Sequence, residues 1–140
     1  MSLGHLFSSI VTAGFLLIGY AAHAQEAVLG KNEFEARCSI CHGVAGAGDG
    51  AVGELFAIKP KNLRVLAKEN GGIFPFDEVR AAIDGRRRVI AHGSSEMPIW
   101  GDYLMAEALE GRFIRPNDAR LVVEARISAL TQYIHSLQAD

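Results

Sequence analysis

The residues with the most chemistry in this sequence are Cys38-Ser39-Ile40-Cys41-His42. On a helical turn the two thiols and the imidazole stand at i, i+3 and i+4 and share one face. That arrangement suits covalent attachment of a porphyrin through two thioethers, with the neighbouring imidazole on its iron, and C-x-x-C-H is the signature of such c-type haem attachment. C-x-x-C alone is weaker, because zinc sites and dithiol redox centres use it too. A structural zinc would be one ligand short here, with two of its ligands crowded side by side. A thioredoxin-like dithiol needs a βαβ setting, and the chain offers no strand pattern to build one.

Iron held by His42 leaves a sixth position for Met, for His or for no protein group, and each choice implies different chemistry. Beyond Met1 the methionines are Met97 and Met105, and the other histidines after residue 24 are His92 and His135. Met105 falls in a short helical stretch, where methionine fills core. His135 lies near the end of the last helix, where a cation favours the dipole and exposure is the default. Met97 stands in irregular chain before Pro98, a setting that projects a thioether at a fixed angle. Met97 is therefore the preferred sixth ligand. His92, five residues earlier in a loop, competes with it, and an open or labile position comes next.

Several helices must position these groups. Asn32 is placed as the cap of a first helix, with Glu33 and Glu35 in its first turn, running through Arg37 into Cys38. Val28, Leu29 and Phe34 give it apolar surface, and Gly30 allows a second helix to approach closely. Residues 43–50 contain four glycines and predict a tight loop, either packed against a flat ligand edge or simply a turn. They lack the G-K-[ST] ending and the preceding strand of a phosphate loop. Asn62 caps a short helix from Leu63 to Glu69, stopped at Asn70-Gly71-Gly72. Asp77 caps another that ends at Gly85, with Phe76, Val79 and Ile83 on one face. Arg86-Arg87-Arg88 follows in a loop. Its default is a solvated turn, and its sharper reading is a docking patch or a partner for a haem propionate.

Ala91 to Trp100 reads as irregular chain, and Tyr103 to Leu109 as a short helix ending at Gly111. The strongest periodicity runs from about Asp118 to Leu137, where Val123, Ile127, Leu130, Ile134 and Leu137 recur at spacings of three and four. Asn117 or Asp118 caps this helix, which spans about 30 Å at 1.5 Å per residue. No strand alternation and no internal repeat is present.

The chain has 140 residues, of which 49% are hydrophobic, one domain's worth of globular sequence. Leu6 to Ala22 carries no charge, and Ala22-His23-Ala24 is an A-x-A cleavage pattern. Residues 1–24 therefore read as a cleavable signal peptide, with 25–140 as the exported, periplasmic domain. The alternative, an uncleaved anchor, is shorter than the roughly 20 residues a span needs and is diluted by serine and glycine. A net charge of -2 leaves no basic footprint for nucleic acid. A disulfide between Cys38 and Cys41 would close a tiny loop and constrain little.

Together these features resemble the class I c-type cytochromes, the small monohaem bacterial group, along nearly all of 25–140. The resemblance implies an all-α cytochrome c fold, three to five helices wrapped around one haem c bound covalently through Cys38 and Cys41. It implies axial ligation by His42 and Met97, the latter in a Met97-Pro98 pair. A proline carbonyl in this family accepts from the Nδ1–H of the axial histidine, and Pro60 in Pro60-Lys61-Asn62-Leu63 matches that place. Such a bond fixes the tautomer and strengthens the ligand. Leu63 and Trp100 join the cofactor-binding set, Trp100 by packing on the haem edge or reaching a propionate. The terminal helices of the family cross at small and aromatic residues, matched by Gly30 and Phe34 against Tyr133. Residues 101–115 are long for a minimal member and leave room for a helix that shields the haem or meets a partner.

What the resemblance implies is a one-electron carrier, an electron-transfer protein with no catalysed reaction of its own. Its redox partners would be a dehydrogenase or an oxidase, with the membrane met only through them or through an uncleaved signal. The alternatives are a haem subunit of a fixed oxidoreductase complex, and a haem enzyme or gas sensor with a labile distal ligand.

Overall fold

Residues 24–85, 97–110 and 114–139 are described in the computed structural model, and among them every regular element is helical. The expected all-α class holds for these residues. The signal segment up to residue 23, the arginine run Arg86 to Arg88, His92 and the helix stop at Gly111 lie outside them. Among the described residues no helix is long and apolar enough to cross a membrane.

The first helix, α1, covers residues 24–37. Asn32 is not its cap but an exposed mid-helix residue, because the chain is already helical eight residues earlier. Two inward residues account for this: Glu33 and Phe34 are both buried, so packing and pairing outweigh the local capping preference of Asn32. Val28 and Leu29 point outward, Val28 being 59% exposed. After Cys38 comes a single turn, α2 (Ser39–His42).

A 3₁₀ turn at Leu63–Val65 leads into α3 (Leu66–Glu69). Its cap is the expected one, since Asn62 Oδ1 accepts from the Arg64 amide at 2.9 Å. The stop is also as expected, with the Gly72 amide donating back to the Ala67 carbonyl at 2.8 Å. Helix α4 spans Phe76–Asp84. Pro75, not Asp77, occupies its cap, and its carbonyl accepts from the Val79 amide at 3.0 Å. Asp77 and Glu78 sit in the first turn, where negative charge favours the positive end of the dipole. Gly85 ends α4 in the left-handed region at φ 83°, a conformation that costs any other L-residue.

Helix α5 runs over Trp100–Glu110, a full turn longer than the sequence pattern suggests at its amino-terminal end. Gly101, a poor helix former, is retained there because it is buried against α4. A Cβ at Gly101 would overlap the Asp84 carboxylate. Helix α6 spans Pro116–Ser136. It starts earlier than Asn117 or Asp118: Pro116 takes the first helical position, and the Arg115 carbonyl accepts from the Ala119 amide at 2.9 Å. Asp118 instead pairs with Arg115 Nε at 2.8 Å.

The apolar stripe of α6 forms one side of the core. Val123, Ile127, Leu130 and Ile134 are buried with Phe34 of α1, Ile83 of α4 and Leu104 of α5, and Leu137 packs against their edge. Each such fully buried side chain contributes roughly 1.5–3 kcal/mol. Helices α1 and α6 cross at Gly30, where a Cβ would overlap the Ala129 carbonyl and stand 3.0 Å from Tyr133 Cβ. One turn on, the Phe34 and Tyr133 rings lie 5.2 Å apart. The expected contact of Gly30 and Phe34 with Tyr133 is thus observed. Cys38, the next buried apolar residue of that helix face, brings the chain to the site.

Candidate functional site

A cavity of about 280 Å³ is bordered by two separate stretches of chain. One wall is the turn carrying Cys38, Ile40, Cys41 and His42, extended by Phe56, Ile58 and Pro60. The other is Met97, Pro98 and Trp100, with Arg37 also on the border. Six of the seven residues singled out from sequence, Cys38, Cys41, His42, Pro60, Met97 and Trp100, therefore come together around one mostly apolar space. Leu63 does not line it. Its side chain packs against the core edge beside Gly46, and its amide donates to the Gly46 carbonyl at 2.7 Å.

The first wall is fixed by its own main chain. Cys38 accepts from the amides of Cys41 at 3.1 Å and His42 at 2.8 Å, and Ser39 accepts from Gly43 at 2.8 Å. Ile40, Cys41 and His42 accept from Val52, Gly50 and Gly48 at 3.0, 3.1 and 2.8 Å. Every carbonyl from Cys38 to His42 thus has an acceptor role, which removes the freedom such a short turn would otherwise keep. The glycine loop makes this closeness feasible. A Cβ at Gly50 would overlap the main chain of Ile40 and Cys41, and one at Gly48, where φ is +85°, would overlap the Pro60 carbonyl. Gly48 and Gly50 therefore pack on protein backbone, while Gly43 and Gly46 face the side chains of Asp49 and Leu137.

His42 is buried, and its Nδ1 lies 3.0 Å from the Lys61 carbonyl. A carbonyl only accepts, so this bond puts the proton on Nδ1 and the lone pair on Nε2, the nitrogen suited to bind a metal. The expected acceptor was Pro60, and the observed one is a residue further on. The reason is that the Pro60 carbonyl is turned toward Gly48. The segment is clasped from the far end of the chain as well. Gln138 Nε2 donates to the Leu63 carbonyl at 2.7 Å and its Oε1 accepts from the Ala67 amide at 2.9 Å. Ala139 adds an amide bond to the Arg64 carbonyl at 2.8 Å. Sequence gave no signal for this clasp, because glutamine near a helix end has no distinctive pattern.

Both cysteines are free thiols, Cys38 buried and Cys41 half-buried. Burial pushes the Cys38 thiol up to about 12, and burial raises Cys41 also. A disulfide-exchange centre needs the opposite, a thiolate stabilised near neutral pH. Among the described residues, no group of three or more His, Cys, Asp and Glu side chains could hold a metal ion. The donors that border the cavity are the His42 imidazole, the Met97 thioether and the two cysteine sulfurs, and the imidazole and thioether are a pair that fits haem iron. Two thiols on the same wall as the imidazole fit its covalent attachment.

Next to the cavity lies an ion cluster not anticipated from sequence. Arg126 of α6 grips Glu33 of α1 through Nε at 2.8 Å and Nη2 at 3.1 Å. Arg37 reaches Glu33 at 2.9 Å, and both oxygens of Glu107 on α5 at 2.8 and 2.7 Å. Arg126 closes the ring on Glu107 at 2.9 Å. Hydrogen bonds from Arg37 and then Arg126 hold the Glu107 carboxyl below its ordinary range. Burial opposes the charge on Arg126, but its bonds to Glu33 and Glu107 outweigh this and raise its pKa. Only the i, i+4 spacing of Glu33 and Arg37 was visible locally. Met105 and His135 take the roles expected of them: Met105 packs on the core edge, and His135 is exposed, its ring tilted against Phe74 and Phe76 with centroids 4.8 Å from each.

Comparison with known proteins finds no matching family model, no similar curated protein and no similar solved structure.

Proposed function

We propose that this chain is a one-electron carrier, in which Cys38 and Cys41 hold one haem c covalently and His42 and Met97 ligate its iron. The observation that carries this reading is the convergence of all four side chains on a single cavity from two distant stretches of sequence. Bound there, haem would supply a metal that cycles between two oxidation states. The protein's part is to hold and shield it. The Lys61 carbonyl orients the imidazole and raises its ligand strength. A thioether from Met97 stabilises the reduced state relative to a second imidazole, and filling both axial positions keeps substrates off the metal. Phe56, Ile58, Pro60 and Trp100 exclude water from the ring faces.

The cavity is at the low end of small-molecule sites in volume, so a macrocycle would leave part of its ring outside these walls. Ile40 and Ile58, 57% and 48% exposed, border that opening and offer apolar contact to a redox partner. Such a partner would be a dehydrogenase or an oxidase in the periplasm, where the signal-like segment 1–24 would deliver the chain.

Acid–acetone extraction tests the attachment. The expected result is haem retained on the protein in one-to-one ratio and released only when both Cys38 and Cys41 are replaced. Colour lost to the acetone phase from the wild-type protein would contradict it.

A further inference from the structure

The ion ring links the two walls of the cavity, and only one of its four members belongs to the helix that follows Met97. Arg37 borders the cavity and directly precedes Cys38, and Glu33 and Arg126 are the inner pair on α1 and α6. Glu107 is the ring member on α5, accepting from both arginines. Trp100 and Glu107 lie seven residues apart on one helix, about 10 Å along its axis. The near end of α5 is seated on α4, where Gly101 meets Asp84 and Ile99 meets Gly85. Leu104 and Ala108 pack the middle of the helix into the core, and the ring is the charged tie that joins its far end to Arg37, the residue before Cys38.

We propose that Glu107 is a positioning residue for the distal ligand. By closing the ring with Arg37, Arg126 and Glu33 it sets the distance between the Met97 wall and the Cys38–His42 wall. This rests on the reading of Met97 as the sixth ligand. Glu33, held by three bonds and buried, is the fixed point of the ring. Glu107 is about half exposed and among the described residues pairs with the two arginines, so its removal opens the ring while the buried face of α5 stays packed.

The test is competition by free imidazole for the iron of the intact ferric haem protein. Imidazole binds only when Met97 has left, so its apparent affinity scales with the open fraction. Glu107→Gln keeps the shape of the side chain and removes its charge, and is expected to tighten imidazole binding about tenfold. Glu107→Asp keeps the charge on a shorter stem and should tighten it by about threefold, and it carries the test if the glutamine variant does not fold. Ile134→Val, a buried change on α6 outside the ring and the cavity, loses stability but should leave imidazole affinity within about twofold. Unchanged affinity in both Glu107 variants would overturn the proposal, as would an equal rise in Ile134→Val. Wild-type protein without covalent haem or without Met97 ligation would overturn the functional reading itself. A normal wild-type spectrum with unshifted variants removes only the role of Glu107.

Discussion

The two walls of the cavity are built in different ways. The Cys38–His42 wall is local: its main-chain bonds run to residues no farther along than Val52, and its imidazole is oriented by Lys61. The Met97 wall depends on distance. It leads into α5, which is placed by core packing of Leu104 and Ala108, by a seat on α4 and by an ion ring whose partners come from α1 and α6. A wall made of short-range main-chain bonds is rigid and changes little when a remote side chain is altered. A wall held through a helix transmits changes made two turns away. The first suits the permanent ligand of a redox centre, and the second makes the distal ligand the adjustable one.

Four changes would break or sharpen this contrast. The largest effect is expected for Gly48→Ala. It combines a left-handed backbone with a Cβ directed at the Pro60 carbonyl, and should cost about 3 kcal/mol of unfolding free energy in denaturant titration. A loss under about 1 kcal/mol would mean that the first wall yields more easily than its bonding suggests. Next, Glu33→Ala removes the shared acceptor of two largely shielded arginines and should cost about 2 kcal/mol, measured in the same way.

A smaller effect is expected from pH. Glu107 has its carboxyl pulled below the ordinary value of 4.5, so its contribution is complete above that value and fades as pH falls through the folded-state pKa. Stability of the wild type should therefore drop more steeply below pH 4.5 than that of Glu107→Gln, and parallel thermal-melting curves would remove the ring from the stability account. The smallest effect belongs to Arg120→Ala. Its pairing with Glu124, at 3.7 Å between exposed side chains, should be worth within about 0.5 kcal/mol.

The contrast between the walls also explains what could be read from sequence. The Cys38–His42 turn, the glycine loop and the Asn62 cap depend on neighbours a few residues away, so their residue types announce them. Even there, the hydrogen-bond acceptor for His42 fell one residue from its expected position, because residue type does not fix which carbonyl of an extended segment turns inward. The start of α1 was misplaced at Asn32 because a capping preference of about 1 kcal/mol loses to the burial of Phe34 and the pairing of Glu33. The ring of Glu33, Arg37, Glu107 and Arg126 joins residues up to 93 apart and leaves no local trace beyond one i, i+4 pair. The amino-terminal turn of α5 was hidden by Gly101, which is there for its fit against Asp84.

The convergence of both walls on one iron is tested most directly by the near-red spectrum of the ferric protein, recorded for the wild type and for Met97→Leu. A His42/Met97-ligated carrier predicts a sulfur-to-iron charge-transfer band in the wild type that vanishes in the variant while haem stays covalently attached. High-spin ferric iron in the wild type, or a band that survives in Met97→Leu, would contradict it.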